Sequence, residues 1–119
     1  MKKILLVEDE ILIQKSLMKL LQKKGNEVTA LSKGKDAVDC MLKNDFDRII
    51  CDLMLQDITG FEILEEAKKK YSLEEIGQKF VIMTAYTSNQ VLKKAATYGC
   101  HIISKPFSNM NLALEEMVV

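Results

Sequence analysis

Four short apolar runs in this chain each stop at a polar residue of a distinct chemical kind, and this restricts the fold more than any other feature. Ile4–Val7 runs into Glu8-Asp9, Ile49–Cys51 into Asp52, Phe80–Met83 into Thr84, and Ile102-Ile103 into Ser104-Lys105-Pro106. Short apolar runs separated by helical patterns read as parallel strands buried on both faces, and open sheets of that kind bind ligands outside the carboxyl ends of their strands. Three carboxylates, a hydroxyl and an ammonium are therefore expected to converge on one rim.

Between the runs the periodicity changes. Lys3–Val7 is the first strand, and Leu12, Leu17, Leu20 and Leu21 recur at helical spacing until Gly25-Asn26 stops the helix. Glu27–Leu31 reads as the second strand, and Ala37, Val38, Met41 and Leu42 mark the inner face of a second helix ending near Asn44. Arg48–Asp52 is the third strand, followed by a loop over 53–59 and a third helix opened by Gly60, with Phe61, Ile63, Leu64 and Ala67 inward. Tyr71–Gln78 is longer than an ordinary helix-to-strand connection and reads as a surface excursion. Lys79–Thr84 is the fourth strand, Asn89–Tyr98 a short helix closed by Gly99, His101–Ser104 the fifth strand and Asn109–Val118 the last helix. Five βα units with right-handed crossovers predict an α/β fold with helices on both faces of a parallel sheet.

Composition narrows the function classes. A chain of 119 residues with 48% hydrophobic content can bury roughly two-thirds of its unfolded surface, so one domain covering 1–119 is expected. Lys plus Arg and Asp plus Glu both number 17, so no net field draws the chain to nucleic acid or anionic lipid, and no basic recognition helix occurs. Cys40, Cys51 and Cys100 lack metal-ligand or redox spacing, which suits packed, reduced thiols in a cytoplasmic setting. No run approaches a membrane span.

A carboxylate at a strand end can attack phosphorus, but the incoming group is itself anionic, so the site needs compensating positive charge. Mg2+ favours oxygen ligands and takes one or two protein carboxylates. Asp9 and Asp52 suit direct ligation, Glu8 a contact through water, and the Met54 carbonyl can complete the set. Lys105 is the second cation, and Thr84 can donate to a phosphoryl oxygen. Each residue alone has a blander explanation, since acidic pairs often begin helices and Lys-Pro is common in loops. Their joint placement at the ends of strands one, three, four and five is the informative signal.

Over essentially its whole length the chain resembles the receiver domains of two-component response regulators. The segments that carry the likeness are ILLVEDE (Ile4–Glu10), IICDLMLQDITGFE (Ile49–Glu62), VIMTAY (Val81–Tyr86) and SKPF (Ser104–Phe107). The resemblance implies a flavodoxin-like, doubly wound sheet of order 2-1-3-4-5 and a cis Lys105-Pro106 bond. It also implies that Asp52 takes a phosphoryl group from a histidine kinase or phosphotransfer protein. Glu8, Asp9, Asp52 and Met54 would hold Mg2+, and Thr84 and Lys105 would engage the phosphoryl group. Such a domain is not an enzyme beyond its own phosphorylation and slow self-dephosphorylation. Its changed surface, made by the Asn89 helix, strand five and the last helix, controls an output domain or partner, with homodimerisation on phosphorylation. The first helix, with Ile11, Ile13 and Gln14, is the implied docking face for the kinase.

Three departures from the family pattern stand out. Gln56 occupies a place where such domains often have Pro, so the loop after Asp52 is expected to be less rigid. Ile102 stands where a switch aromatic is usual, with Tyr86 and Tyr98 as candidate substitutes, and Gly99–Lys105 is one residue short, which predicts a remodelled loop before strand five. A dehalogenase-like phosphohydrolase would want an Asp in place of Met54, and no glycine-rich phosphate loop occurs. The alternative that keeps the fold is a phosphorylation-independent adaptor.

Overall fold

The computed structural model describes residues 2–85, 87–107 and 110–118. The strands are β1 (Lys3–Val7), β2 (Glu27–Leu31), β3 (Arg48–Asp52), β4 (Phe80–Thr84) and β5 (His101–Ser104). The helices are α1 (Ile11–Lys23), α2 (Gly34–Lys43), α3 (Gly60–Ala67), α4 (Leu73–Lys79), α5 (Asn89–Ala96) and α6 (Met110–Val118). Every strand pair is parallel and the sheet order is β2-β1-β3-β4-β5. Sequence order reverses between β1 and β3, so the carboxyl ends of these two strands lie side by side at the switch point where such sheets bind ligands.

Alternation along the strands divides the apolar side chains between two layers. Leu5, Val7, Ile49, Cys51, Phe80 and Ile82 pack with Ala37, Met41, Ile63, Leu64, Ile76 and Tyr98. Ile4, Leu6, Ile50, Val81, Met83 and Ile103 pack on the other side with Leu17, Leu21, Ala113, Leu114 and Met117. Thus α1 and α6 cover one face, and residues of α2, α3 and α4 cover the other. Burying a large aliphatic side chain is worth about 1.5–3 kcal/mol, so these two layers hold the strand ends in place.

Helix ends follow local chemistry. Gly25 and Gly99 take positive φ, 90° and 69°, where a side chain would be strained. Thr59 and Ser72 each form a reciprocal capping box, with Glu62 and Glu75. The second box corrects the expectation for Tyr71–Gln78: that segment is largely α4, with Ile76 fully buried. Lys79 closes α4 instead of opening β4, and its Nζ donates to the Phe46 carbonyl at 2.8 Å. The helix from Asn89 ends at Ala96, two residues earlier than its periodicity predicted. β5 keeps full register with β4 across Val81–Thr84, so the shortened spacing does not displace the strand. Tyr86 and Asn109, which figure in the sequence reading, lie outside the described residues. No helix among the described residues is long and apolar enough to cross a membrane.

Candidate functional site

Register alone brings the polar ends together. Val7 pairs with Cys51, Asp52 with Met83 and Thr84 with Ser104, so Glu8, Asp52, Thr84 and Lys105 all emerge at one rim. Carboxylate oxygens of Glu8, Asp9 and Asp52 lie within 4.8 Å of one another. Glu8 is fully buried, Asp52 and Thr84 are buried, and Asp9 is half-exposed.

Lys105 closes the group. Its Nζ donates to Glu8 Oε1 at 2.6 Å and to Asp52 Oδ2 at 3.0 Å. Its backbone N–H donates to the Thr84 carbonyl at 2.8 Å, and the following bond to Pro106 is cis, as the resemblance implied. Burial pushes the Glu8 carboxyl up to about 7, against the pull of the Lys105 ammonium. Burial also disfavours charge on Lys105, but its bonds to Glu8 and Asp52 prevail and hold it above the ordinary lysine value.

The second carboxylate oxygens of Glu8 and Asp52 are held from the backbone. Glu8 accepts from the Glu10 N–H through Oε2 at 3.3 Å, and Asp52 accepts from the Met54 N–H through Oδ1 at 3.3 Å. The Leu53 N–H donates to the Met83 carbonyl at 2.9 Å, and the Gly60 N–H returns to the Leu53 carbonyl at 2.7 Å, so the loop after Asp52 closes on its own start. A Cβ on Gly60 would lie 3.1 Å from Leu53 Cα and 3.2 Å from the Asp52 carbonyl oxygen, which leaves little room for any other residue. Met54 bridges to Thr59 within that loop, with its side chain exposed.

Two residues have roles the sequence reading did not assign. Gln14 donates from Nε2 to the Glu8 carbonyl at 2.8 Å and to Ser32 Oγ at 3.2 Å, tying α1 to the acidic pair. Ile11 is exposed and Ile13 half-buried. Asp57 accepts from the N–H groups of Gly34 and Lys35, each at 2.9 Å, and so anchors the loop after Asp52 to α2. The loop is therefore more restrained than Gln56 suggested. An acid in a loop opposite a helix start was the available signal, but its partners lie 22 and 23 residues away.

Three clustered carboxylates make a hard-oxygen donor set, which fits Mg2+ and not a softer metal. The cysteines stand apart from this chemistry. Burial pushes the Cys51 thiol well up, and Cys100 to about 11, so neither is poised as a thiolate.

The response regulator receiver domain family matches residues 4–115. Response regulator SaeR of Staphylococcus aureus is 30% identical over 115 residues, covering 96% of this chain and 48% of that protein. The chain spans about half the length of the curated relatives it matches. The non-phosphorylated receiver domain of HemR from Leptospira biflexa superposes with a TM-score of 0.86 at 27% identity, covering 98% of this chain and 90% of that one. TrrA from Thermotoga maritima, solved in complex with Mg2+-BeF, gives a TM-score of 0.77 at 26% identity, covering 97% and 96%. Since the family match runs unbroken from the first strand into the last helix, the chain belongs to the response regulator receiver domains, the signalling modules of two-component systems.

Proposed function

We propose that the chain is a phosphorylation-driven switch in which Asp52 is the acceptor. The observation that carries this reading is Lys105 Nζ, seated 3.0 Å from Asp52 Oδ2 and 2.6 Å from Glu8 Oε1. That ammonium stands where a phosphoryl group on Asp52 would need its charge neutralised. Two unit charges about 4 Å apart attract by roughly 4 kcal/mol at an effective dielectric near 20, enough to favour the modified state materially.

In the transfer, an Asp52 carboxylate oxygen bonds to phosphorus while the phosphorus–nitrogen bond to a kinase phosphohistidine breaks. The imidazole keeps that electron pair and takes up a proton. Lys105 then neutralises one phosphoryl oxygen and the Thr84 hydroxyl donates to another. Glu8, Asp9, Asp52 and the Met54 carbonyl are the residues that would hold Mg2+, whose positive charge lowers the repulsion between carboxylates and the incoming group. Slow loss of the group is attack of water on the same phosphorus, with Asp52 leaving as carboxylate. The complex of TrrA with Mg2+-BeF, a metal-bound mimic of a phosphoryl group, supports this reading by analogy.

Residues 1–119 act on this reading as one phosphoacceptor domain in the cytoplasm. A sensor kinase or phosphotransfer protein is the donor. The surface formed by α5, β5 and α6 passes the signal to an output domain or partner, or to a second copy on phosphorylation. Incubation with acetyl phosphate and Mg2+ tests the acceptor: wild type should carry hydroxylamine-labile phosphate and Asp52→Asn none. Equal labelling of both overturns the proposal.

A further inference from the structure

The loop from Leu53 to Thr59 carries Met54 beside Asp52, and its inner end is fixed by the Leu53–Gly60 and Met54–Thr59 contacts. Its outer limb is fastened elsewhere. Asp57 Oδ1 accepts from the Gly34 N–H and Oδ2 from the Lys35 N–H, both at 2.9 Å, so one carboxylate spans the first two residues of α2. Lys33, the residue preceding α2, offers no side-chain cap of its own. Ile58 and Leu55 press against Gly34 so closely that a Cβ there would collide with Ile58.

Several observations argue that this is a brace. The carboxylate meets the positive end of the α2 dipole, where an anion is favoured. Burial opposes its ionisation, yet the N–H groups of Lys35 and Gly34 prevail and hold Asp57 below the ordinary carboxylate value. Gln56 leaves its own backbone torsion open, whereas a proline would fix it, so the limb needs restraint from outside. Apolar packing of Leu55 and Ile58 on Gly34 sets the distance, and the paired hydrogen bonds set the direction.

We infer that Asp57 is a positioning residue for metal binding: by clamping the loop to the start of α2, it holds the Met54 carbonyl where it can join Asp9 and Asp52. This rests on the Mg2+ reading above. Asp57 touches neither metal nor phosphoryl group, so its loss should change the Mg2+ concentration needed and leave the rate at saturation nearly intact.

The test is Mg2+ calorimetry on the full chain alongside phosphorylation by acetyl phosphate over a range of Mg2+. Asp57→Ala should raise the half-saturating Mg2+ by about tenfold, the lower end of what lost supporting contacts cost a metal site, with the saturated rate within about twofold of wild type. Asp57→Asn, which keeps one acceptor oxygen, should fall between. Adding Gln56→Pro to Asp57→Ala should recover most of the lost affinity by restricting the loop directly. In metal-free protein, amide exchange at Gly34 and Lys35 should quicken in Asp57→Ala.

Unchanged Mg2+ affinity in both Asp57 variants, with faster exchange at Gly34 and Lys35 showing that the clamp is gone, overturns the brace. So does a saturated rate that falls as far as the affinity. If wild type binds Mg2+ but takes no phosphoryl group, the switch reading fails while calorimetry still decides the brace. If wild type binds no Mg2+, both fail.

Discussion

Tyr98 Oη donates to Glu65 Oε2 at 2.8 Å and thereby fastens the turn after α5 to α3. The Tyr98 ring stacks on Phe61 with centroids 6.3 Å apart, Lys68 Nζ lies 5.2 Å from the Tyr98 centroid, and Lys94 Nζ lies 4.7 Å from that of Phe61. Tyr98 is thus a buried packing residue in this state, joined to α3, the helix that follows the Asp52 loop.

That contact has a titration signature. Burial, then the bond to Glu65, pushes the Tyr98 phenol up to about 12 from an ordinary 10.0. The folded state favours the neutral phenol, so the contribution is intact below pH 10 and is lost as pH rises through about 12. In an ultraviolet titration the Tyr98 phenol should ionise late, and Glu65→Gln should bring it part of the way down. A Tyr98→Phe variant whose titration curve loses no late-ionising phenol would contradict this.

Glu8 predicts the opposite end of the pH scale. With its carboxyl raised from 4.5 to about 7, the folded metal-free protein retains a proton that the unfolded chain has released. Stability in Mg2+-free buffer should therefore decline as pH climbs from about 4.5 to about 7. Urea midpoints across that window check it, and Glu8→Gln should flatten the profile.

The cap of α4 can be weighed by a single substitution. Ser72 Oγ accepts from the Glu75 N–H at 3.2 Å, while the Ser72 N–H donates to Glu75 Oε1 at 3.1 Å. Ser72→Ala should cost about 1 kcal/mol in urea unfolding, and Ser72→Asp much less. Equal losses in the two variants would mean that capping is not what holds this helix.

The switch itself should run through Thr84. Its carbonyl already holds the Lys105 N–H, and a phosphoryl group that draws both residues must shift the chain leading into α5. Beryllofluoride should move amide resonances from Thr84 to Val91, and Thr84→Ala should abolish the response. Full retention in Thr84→Ala, with loss on substitution of Ile102, would reverse the assignment.

Strand positions were legible because alternation and apolar runs are local signals: β1, β2, β3 and β5 occupy the residues their patterns predicted. The carboxylates, Thr84 and Lys105 were legible for the same reason, each standing at a strand end. α4 was missed because Ile76 is its only buried residue and Gly77 interrupts it, although Ser72 and Glu75 were a readable capping signal. Gly77 fits there closely, since a Cβ would lie 3.0 Å from the Gly99 carbonyl oxygen. The bonds of Gln14 to Ser32 and of Asp57 to Gly34 and Lys35 were not legible because they span 18 to 23 residues, and no periodicity encodes a contact of that kind.

The division of the core into two layers has a genetic consequence. Packed layers lie roughly 10 Å apart, beyond the range at which substitutions usually couple. A cavity made at Ile50 should be relieved by enlarging Leu17 or Leu114, which share its layer, and ignored by changes at Ile63 or Met41 across the sheet. Suppressors of destabilised strand variants would then sort into two sets that scarcely mix. Ile50 and Cys51, the two successive residues that lead into Asp52, would draw their suppressors from opposite sets.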